Sequence, residues 1–130
     1  MATLNTTLTL ASSDVSSDTL NMTVTDSLTV VSPIVNISKV TATTTGNASI
    51  IVPNIDAPRY VYIKHTGLNS AGSSSGADKV HVETADGTTI MELKAEEFAF
   101  FPYYAEAAGL LQLEANANTV QVEYAYFSRG

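Results

Sequence analysis

The stretch KVHVETADGTTIMEL, residues 79–93, decides the fold class. Asp86-Gly87 lies between two runs of alternating character. An Asp-Gly pair in that setting is the strongest short hairpin signal, because a two-residue type I′ turn needs φ > 0 at both centres. Residues 79–84 and 88–93 are therefore predicted to be paired strands. Period-two alternation gives Val80 and Val82 to a core and turns His81 and Glu83 to the opposite face.

The same grammar extends outward. Residues 60–65 set Val61 and Ile63 against Tyr60, Tyr62 and Lys64. Residues 110–115 and 119–127 oppose Leu111, Leu113, Val120, Val122 and Tyr124 to Gln112, Glu114, Gln121 and Glu123, and are joined across Asn116-Ala117-Asn118. Near the start, TLNTTLT (3–9) is echoed by TLNMTVT (19–25), with Leu4/Leu8 and Leu20/Val24 apolar against threonines. Two copies fall short of a solenoid. Residues 28–40 form a further apolar run, which Pro33 is expected to cut because proline cannot donate to a ladder. A hairpin is predicted from 40–43 and 49–52, turning at Thr45-Gly46-Asn47. Residues 68–78, LNSAGSSSGAD, read as the most flexible stretch. The expectation is an all-β chain, a β-sandwich or jelly-roll-like fold of eight or nine short, mostly antiparallel strands. One helical turn near 105–108 would not change that class.

The chain has 130 residues, the length of one domain, and 45% of them are hydrophobic. Residues 1–57 are rich in Thr and Ser and have no aromatic ring, whereas 58–130 hold all six tyrosines and four phenylalanines. A single domain is expected, with 1–57 as a β arm or first part of the sandwich and 58–130 as the aromatic-rich core. There is no cysteine, so disulfides, thiolate nucleophiles and cysteine-bound zinc are excluded. The net charge of −7, from 13 acids against 6 bases, would repel nucleic acid and anionic membranes. The opening MATLNTTLTL lacks basic residues and a continuous apolar run, so no secretory signal is expected. The four Asn-x-Ser/Thr triplets, at Asn5, Asn21, Asn36 and Asn47, are accordingly read as chance.

Catalytic patterns are scarce. His81 and Glu83 share a strand face and could form half a metal site, but no second histidine-rich element lies near in sequence. Asp14 and Asp18, or Asn54 and Asp56, are loop oxygens of the kind calcium takes, though acidic turns are ordinary in β-proteins. Gly72-Ser73-Ser74-Ser75-Gly76 reads as a spacer rather than a nucleophile elbow, because no strand leads directly into it and no helix follows, and Glu96 and Glu97 alternate to opposite faces of a strand. No enzyme activity, cofactor or metal is expected.

EEFAFFPYY, residues 96–104, is the segment left to explain. A strand over 96–101 followed by a loop from 102 to 109 puts Phe98 and Phe100 on one face and Phe101 on the other. With Tyr103 and Tyr104 added, there is more apolar surface than one core needs, and such patches mark contact sites. Phe98, Phe101, Tyr103 and Tyr104, with Leu4 and Leu8 of the first strands, are the candidate interface. Tyr103 and Tyr104 would alternatively serve as stacking platforms of a carbohydrate-binding module.

Residues 59–127 resemble small virion proteins of tailed bacteriophages. The matching pieces are RYVYIKHTG (59–67), LKAEEFAFFP (93–102) and VEYAYF (122–127). Glu96 stands where glycine is frequent in that pattern, at a tight turn. The resemblance implies a β-sandwich subunit, a capsid decoration or cement protein on the outside of the shell, made in the host cytoplasm and present in the virion. It implies a homo-oligomer, with a trimer favoured, bound to the major capsid protein. A tail, neck or fibre-associated β-module is the alternative. The Thr-rich first half would then be an arm laid across neighbouring subunits by strand addition.

Overall fold

The computed structural model describes residues 1–44, 48–53, 57–105 and 109–130. Among them nine strands form and no helix: β1 (Ala2–Ser12), β2 (Leu20–Ala42), β3 (Ser49–Val52), β4 (Ala57–His65), β5 (Val80–Glu83), β6 (Thr89–Leu93), β7 (Phe98–Ala105), β8 (Leu111–Ala115) and β9 (Val120–Arg129). They make two sheets, in the orders β1-β2-β9-β4-β7 and β3-β8-β5-β6, and every pairing is antiparallel. The pairings are nested: β5 with β6, β4 with β7, β3 with β8, and β2 with β9. The chain thus runs as one long double ribbon whose tip is the Asp86-Gly87 hairpin. Two further pairings, β4 with β9 and β5 with β8, join the ribbon to itself.

The tip is a longer loop than a two-residue turn. Only Gly87 has positive φ (82°), the Thr84 N–H donates to the Thr88 carbonyl, and the register slips between Val82 and Glu83. The Asp86 carboxylate accepts from the Thr84 hydroxyl and from the Thr88 N–H at 3.0 Å. These bonds hold its pKa down to about 2.

One core draws on both sheets. Val61, Ile63, Val120, Val122 and Tyr126 from the first meet Val52, Val80, Val82, Leu111 and Leu113 from the second. Alternation therefore sorted β4, β5, β8 and β9 as their sequences imply. The compositional divide near residue 57 is not a structural one, because β2 pairs with β9 and β3 with β8.

Several local expectations are corrected. Pro33 does not end a strand; β2 runs through it, with register shifts on both sides. The reason is a change of neighbour there: Val30 is the last residue paired with β1 and the first paired with β9, so little ladder is lost. Strands β2 and β3 do not form a hairpin, since they belong to different sheets; the proposed turn at 45–47 lies outside the described residues, as does Asn54–Asp56. The 105–108 turn lies outside them in all but Ala105, which ends β7. Strand β7 starts at Phe98 and continues through Pro102, tolerable because β7 is an edge strand. Glu96 and Glu97 belong to the preceding turn, where Glu96 adopts φ 70° and the Glu97 N–H donates to the Lys94 carbonyl at 3.0 Å. The tight turn forms with glutamate in the left-handed position.

Residues 68–78 are held by a network rather than left free. The Asn69 side-chain oxygen accepts from the Ala71 and Ser73 N–H groups at 2.9 and 3.0 Å, and the Gln121 N–H donates to the Leu68 carbonyl. His65, wholly buried, ties both ends of the loop. Its Nδ1 accepts from the Gly67 N–H at 2.9 Å, which leaves the ring proton on Nε2 to donate to the Asp78 carbonyl at 3.1 Å.

Candidate functional site

The site is the face of the first sheet that points away from the core. Register determines it. Phe127, Tyr60 and Pro102 stand abreast on β9, β4 and β7, as do Ala125, Tyr62 and Phe100, then Glu123, Lys64 and Phe98. Tyr104 continues the row on β7, opposite Pro58. Six of the ten rings (six Tyr, four Phe) therefore gather on this face: Tyr60, Tyr62, Phe98, Phe100, Tyr104 and Phe127. The Tyr60 and Phe100 rings lie 6.0 Å apart at 16°, and the Arg129 guanidinium sits 5.2 Å over Tyr60. The Tyr62 hydroxyl donates to Glu123 at 3.2 Å; burial, then that bond and the carboxylate charge, push its pKa up. Phe98 is 62% exposed and Tyr104 55%, values unusual for large rings on a sheet.

The candidates named from sequence divide across the sheet. Phe98 and Tyr104 are on the outer face. Phe101 and Tyr103 turn inward against the core, 6.3 Å apart edge to face, and the Tyr103 hydroxyl donates to the Gly109 carbonyl at 2.8 Å. Continuing β7 through Pro102 is what assigns them. Tyr103 and Tyr104 thus face opposite ways, and one sugar platform cannot use both. Tyr60, Tyr62, Phe100 and Phe127 join the face although sequence reasoning did not include them in the interface. Their alternation was visible, but the pairing that brings β4, β7 and β9 together was not.

Leu4 and Leu8 belong to a two-stranded arm. Strand β1 pairs only with the first half of β2, with Leu4 opposite Leu28, Leu8 opposite Val24 and Leu10 opposite Met22. The leucines, Met22, Val24 and Val30 lie on that one side, together with Thr6 and Asp26. The other carries Thr3, Asn5, Thr7 and Thr9 against Thr29, Ser27, Thr25 and Thr23, with Ser27 donating to Asn5 at 2.9 Å. The apolar side of the arm borders the aromatic face. Leu4 and Thr6 share a cleft of about 210 Å³ with Tyr62, Phe100, Ala125 and Phe127. Thr6, Thr7, Leu8 and Val24 share one of about 600 Å³ with Tyr62, Met91, Phe98 and Phe100. Ala125, on the outer face, is only 1% exposed beneath this cover.

The outer face of the second sheet is different. His81, Glu92, Gln112 and Glu114 occupy it beside an exposed Ile50 and with no Tyr or Phe, and Lys79 and His81 reach Glu92 at 3.0 and 3.2 Å. Bonds from Lys79 and then His81 lower the Glu92 pKa. His81 thus meets Glu92 across the strands, while Glu83 accepts from Gln112 at 3.5 Å. Among the described residues no group of three or more His, Asp and Glu could hold a metal. Asp14 is a turn residue, accepting from the Ser12 hydroxyl at 2.8 Å, and the Asp18 carbonyl accepts from Ser16. Both nitrogens of His65 are taken by backbone, so it has no lone pair left for a nucleophile. No protein-family model, curated protein or solved structure matches this chain.

Proposed function

We propose that this chain is a non-enzymatic structural protein of a tailed-bacteriophage virion, a capsid decoration or cement protein that binds the outside of the shell as an oligomer. One observation carries the reading: six Tyr and Phe rings gather on the outer face of the first sheet, two of them more than half exposed, whereas the strands of the second sheet carry no Tyr or Phe. Large apolar patches on a folded domain mark macromolecular contact rather than chemistry. The nested pairing supports the architecture. A double ribbon whose alternate pieces go to two sheets is the pairing a jelly-roll sandwich requires, and that form recurs in viral capsid domains. That parallel is one of fold alone. The formal charge of −7 suits the outside of a shell better than its DNA-facing side. A stable trimer would fit a local threefold site on a shell, so a trimer is the expected state.

Purified protein mixed with undecorated capsids tests the reading. Saturable binding over the whole shell is expected, lost in Phe98→Ser/Tyr104→Ser while the Tm stays near that of the parent. No binding by the parent protein would overturn it. Labelling confined to one vertex would instead assign the chain to the tail, neck or fibres.

A further inference from the structure

Of the four strands at sheet edges, only β1 is unguarded. β7 carries Pro102 and β6 carries Glu92, while β3 is only four residues long. β1 has 11 residues, ATLNTTLTLAS, with no charge, proline or glycine. Its pairs with β2 run from Ala2–Val30 to Ser12–Leu20 without a register shift, so no bulge blunts it either. Among the described residues no strand but β2 pairs with it. Its open edge therefore presents a row of backbone N–H and C=O groups to a further strand.

The occupied edge shows which sequence this strand accepts. TLNMTVT, residues 19–25, repeats TLNTTLT, residues 3–9, at five of seven positions, with Met22 in place of Thr6 and Val24 in place of Leu8. Residues 20–25 lie antiparallel against β1. The pattern is thus already paired with its own near-copy: Leu8 is opposite Val24, and Thr7 and Thr9 are opposite Thr25 and Thr23. The Thr9 and Thr23 hydroxyls come within 3.4 Å of each other across the strands. In the repeat Val24 stands for Leu8, Thr25 for Thr9 and Thr23 for Thr7. A second β1 on the open edge reproduces the same pairing, Leu8 opposite Leu8 and Thr7 opposite Thr9.

We propose that β1 pairs antiparallel, edge to edge, with β1 of a second copy of this chain, about a two-fold axis at Leu8. In this register Leu4 meets Ser12 and Thr6 meets Leu10. Odd residues meet odd and even meet even, so the outward N–H and C=O groups of the two copies face each other and the leucine side continues from one copy to the next. Each chain has a net charge of −7, but the strands that meet carry none of it. The contact is isologous and uses up both open edges, so it closes at two copies. It cannot relate members of a threefold ring; in a trimer it joins one ring to the next. The proposal deepens the oligomer reading above and rests on it only for the existence of a second copy.

The chain has no cysteine, so introduced ones report the pairing directly. Leu8→Cys, left to oxidise, is expected to give a disulfide dimer, because residues directly opposite stand about 4.5–5.5 Å apart at Cα. Leu10→Cys alone, roughly 14 Å from its own counterpart in this register, should not, whereas Leu10→Cys mixed with Thr6→Cys should link. Thr7→Lys/Thr9→Lys sets like charges across the axis and should abolish the Leu8→Cys dimer at unchanged Tm. A Leu8→Cys chain with Thr7→Glu/Thr9→Glu, added to it, should restore linkage as a heterodimer. No disulfide from a folded Leu8→Cys chain, or a stronger one from Leu10→Cys, would overturn the proposal. Phe98→Ser/Tyr104→Ser should leave the dimer in place while capsid binding is lost. Capsid binding by a chain that never pairs through β1 would overturn this contact and leave the decoration role standing. Dimers without capsid binding would sustain it and sink that role instead.

Discussion

Replacing His65 by leucine removes two hydrogen bonds from a place with no solvent exposure. Leucine fills similar space, so the cavity cost is small. What changes is that the Gly67 N–H and the Asp78 carbonyl lose their partners at the two ends of the 66–79 connection. An orphaned group costs about 1–3 kcal/mol when buried; Gly67 and Asp78 are half-buried, so the lower part of that range applies, about 2–4 kcal/mol together. For a chain between the small and large domain ranges, roughly 3–5 °C is lost per kcal/mol, so the Tm should fall by roughly 6–20 °C. Thermal melts and urea unfolding followed by circular dichroism measure this. Hydrogen exchange should show the Gly67 and Ser75 amides losing protection first. His65→Gln, which keeps a donor and an acceptor, should fall between. His81→Leu, at a part-exposed pair with Glu92, should cost less than about 1 kcal/mol. A His65→Leu protein within about 1 kcal/mol of the parent would refute the view that this ring fastens the loop.

Gly67→Ala should destabilise by about 1–2 kcal/mol, because φ 76° is unfavourable for an L-residue and the new Cβ would stand 2.7 Å from Glu96 Oε1; equilibrium unfolding reads it. Ser75→Ala should be neutral or stabilising by up to about 1 kcal/mol, since the Ser75 hydroxyl is buried with no hydrogen-bond partner; a lower Tm would refute this. Asp86 has a folded pKa of about 2 against an ordinary value of 3.8, so its contribution is present above pH 3.8 and is lost as pH falls through 2. Asp86→Asn should therefore show a shallower fall of Tm between pH 4 and pH 2 than the parent, and parallel curves would remove the argument.

What was legible in the sequence was local. Period two placed Val61, Ile63, Val80, Val82, Leu111 and Leu113 in the core, and Asp86-Gly87 marked the tip of the ribbon. Sheet membership was not legible, because a sequence-adjacent pair such as β2 and β3 looks like a hairpin whether it closes or crosses to the other sheet. Proline misled twice for one reason: its cost depends on which side of the ladder is occupied, and that is a tertiary fact. At Pro33 the strand changes neighbour, and at Pro102 it is at an edge. The error at Pro102 also hid the sorting of Tyr103 from Tyr104, which simple alternation would have supplied. In residues 68–78, composition suggested a linker, yet small polar side chains also bind backbone well, and Asn69 does so twice.

Strand β7 is apolar on both faces, and β4 and β9 turn Tyr60, Tyr62, Ala125 and Phe127 outward beside Lys64 and Glu123, so the first sheet has apolar surface on both sides to cover. One cover is the second sheet. The arm borders the other face without closing over it: Ala125 is buried there, while Leu8 of the arm and Phe98 of the face stay 45% and 62% exposed. This division separates two kinds of substitution on a single strand. Phe101 and Tyr103 pack on the core, so truncating them should cost stability. Phe98 and Tyr104, one residue out of phase, already face solvent, so truncating them should spare the fold and weaken assembly. If Phe98→Ser instead unfolded the chain as readily as Phe101→Ser, the arm would be a full second cover. The face would then have nothing left to offer a partner.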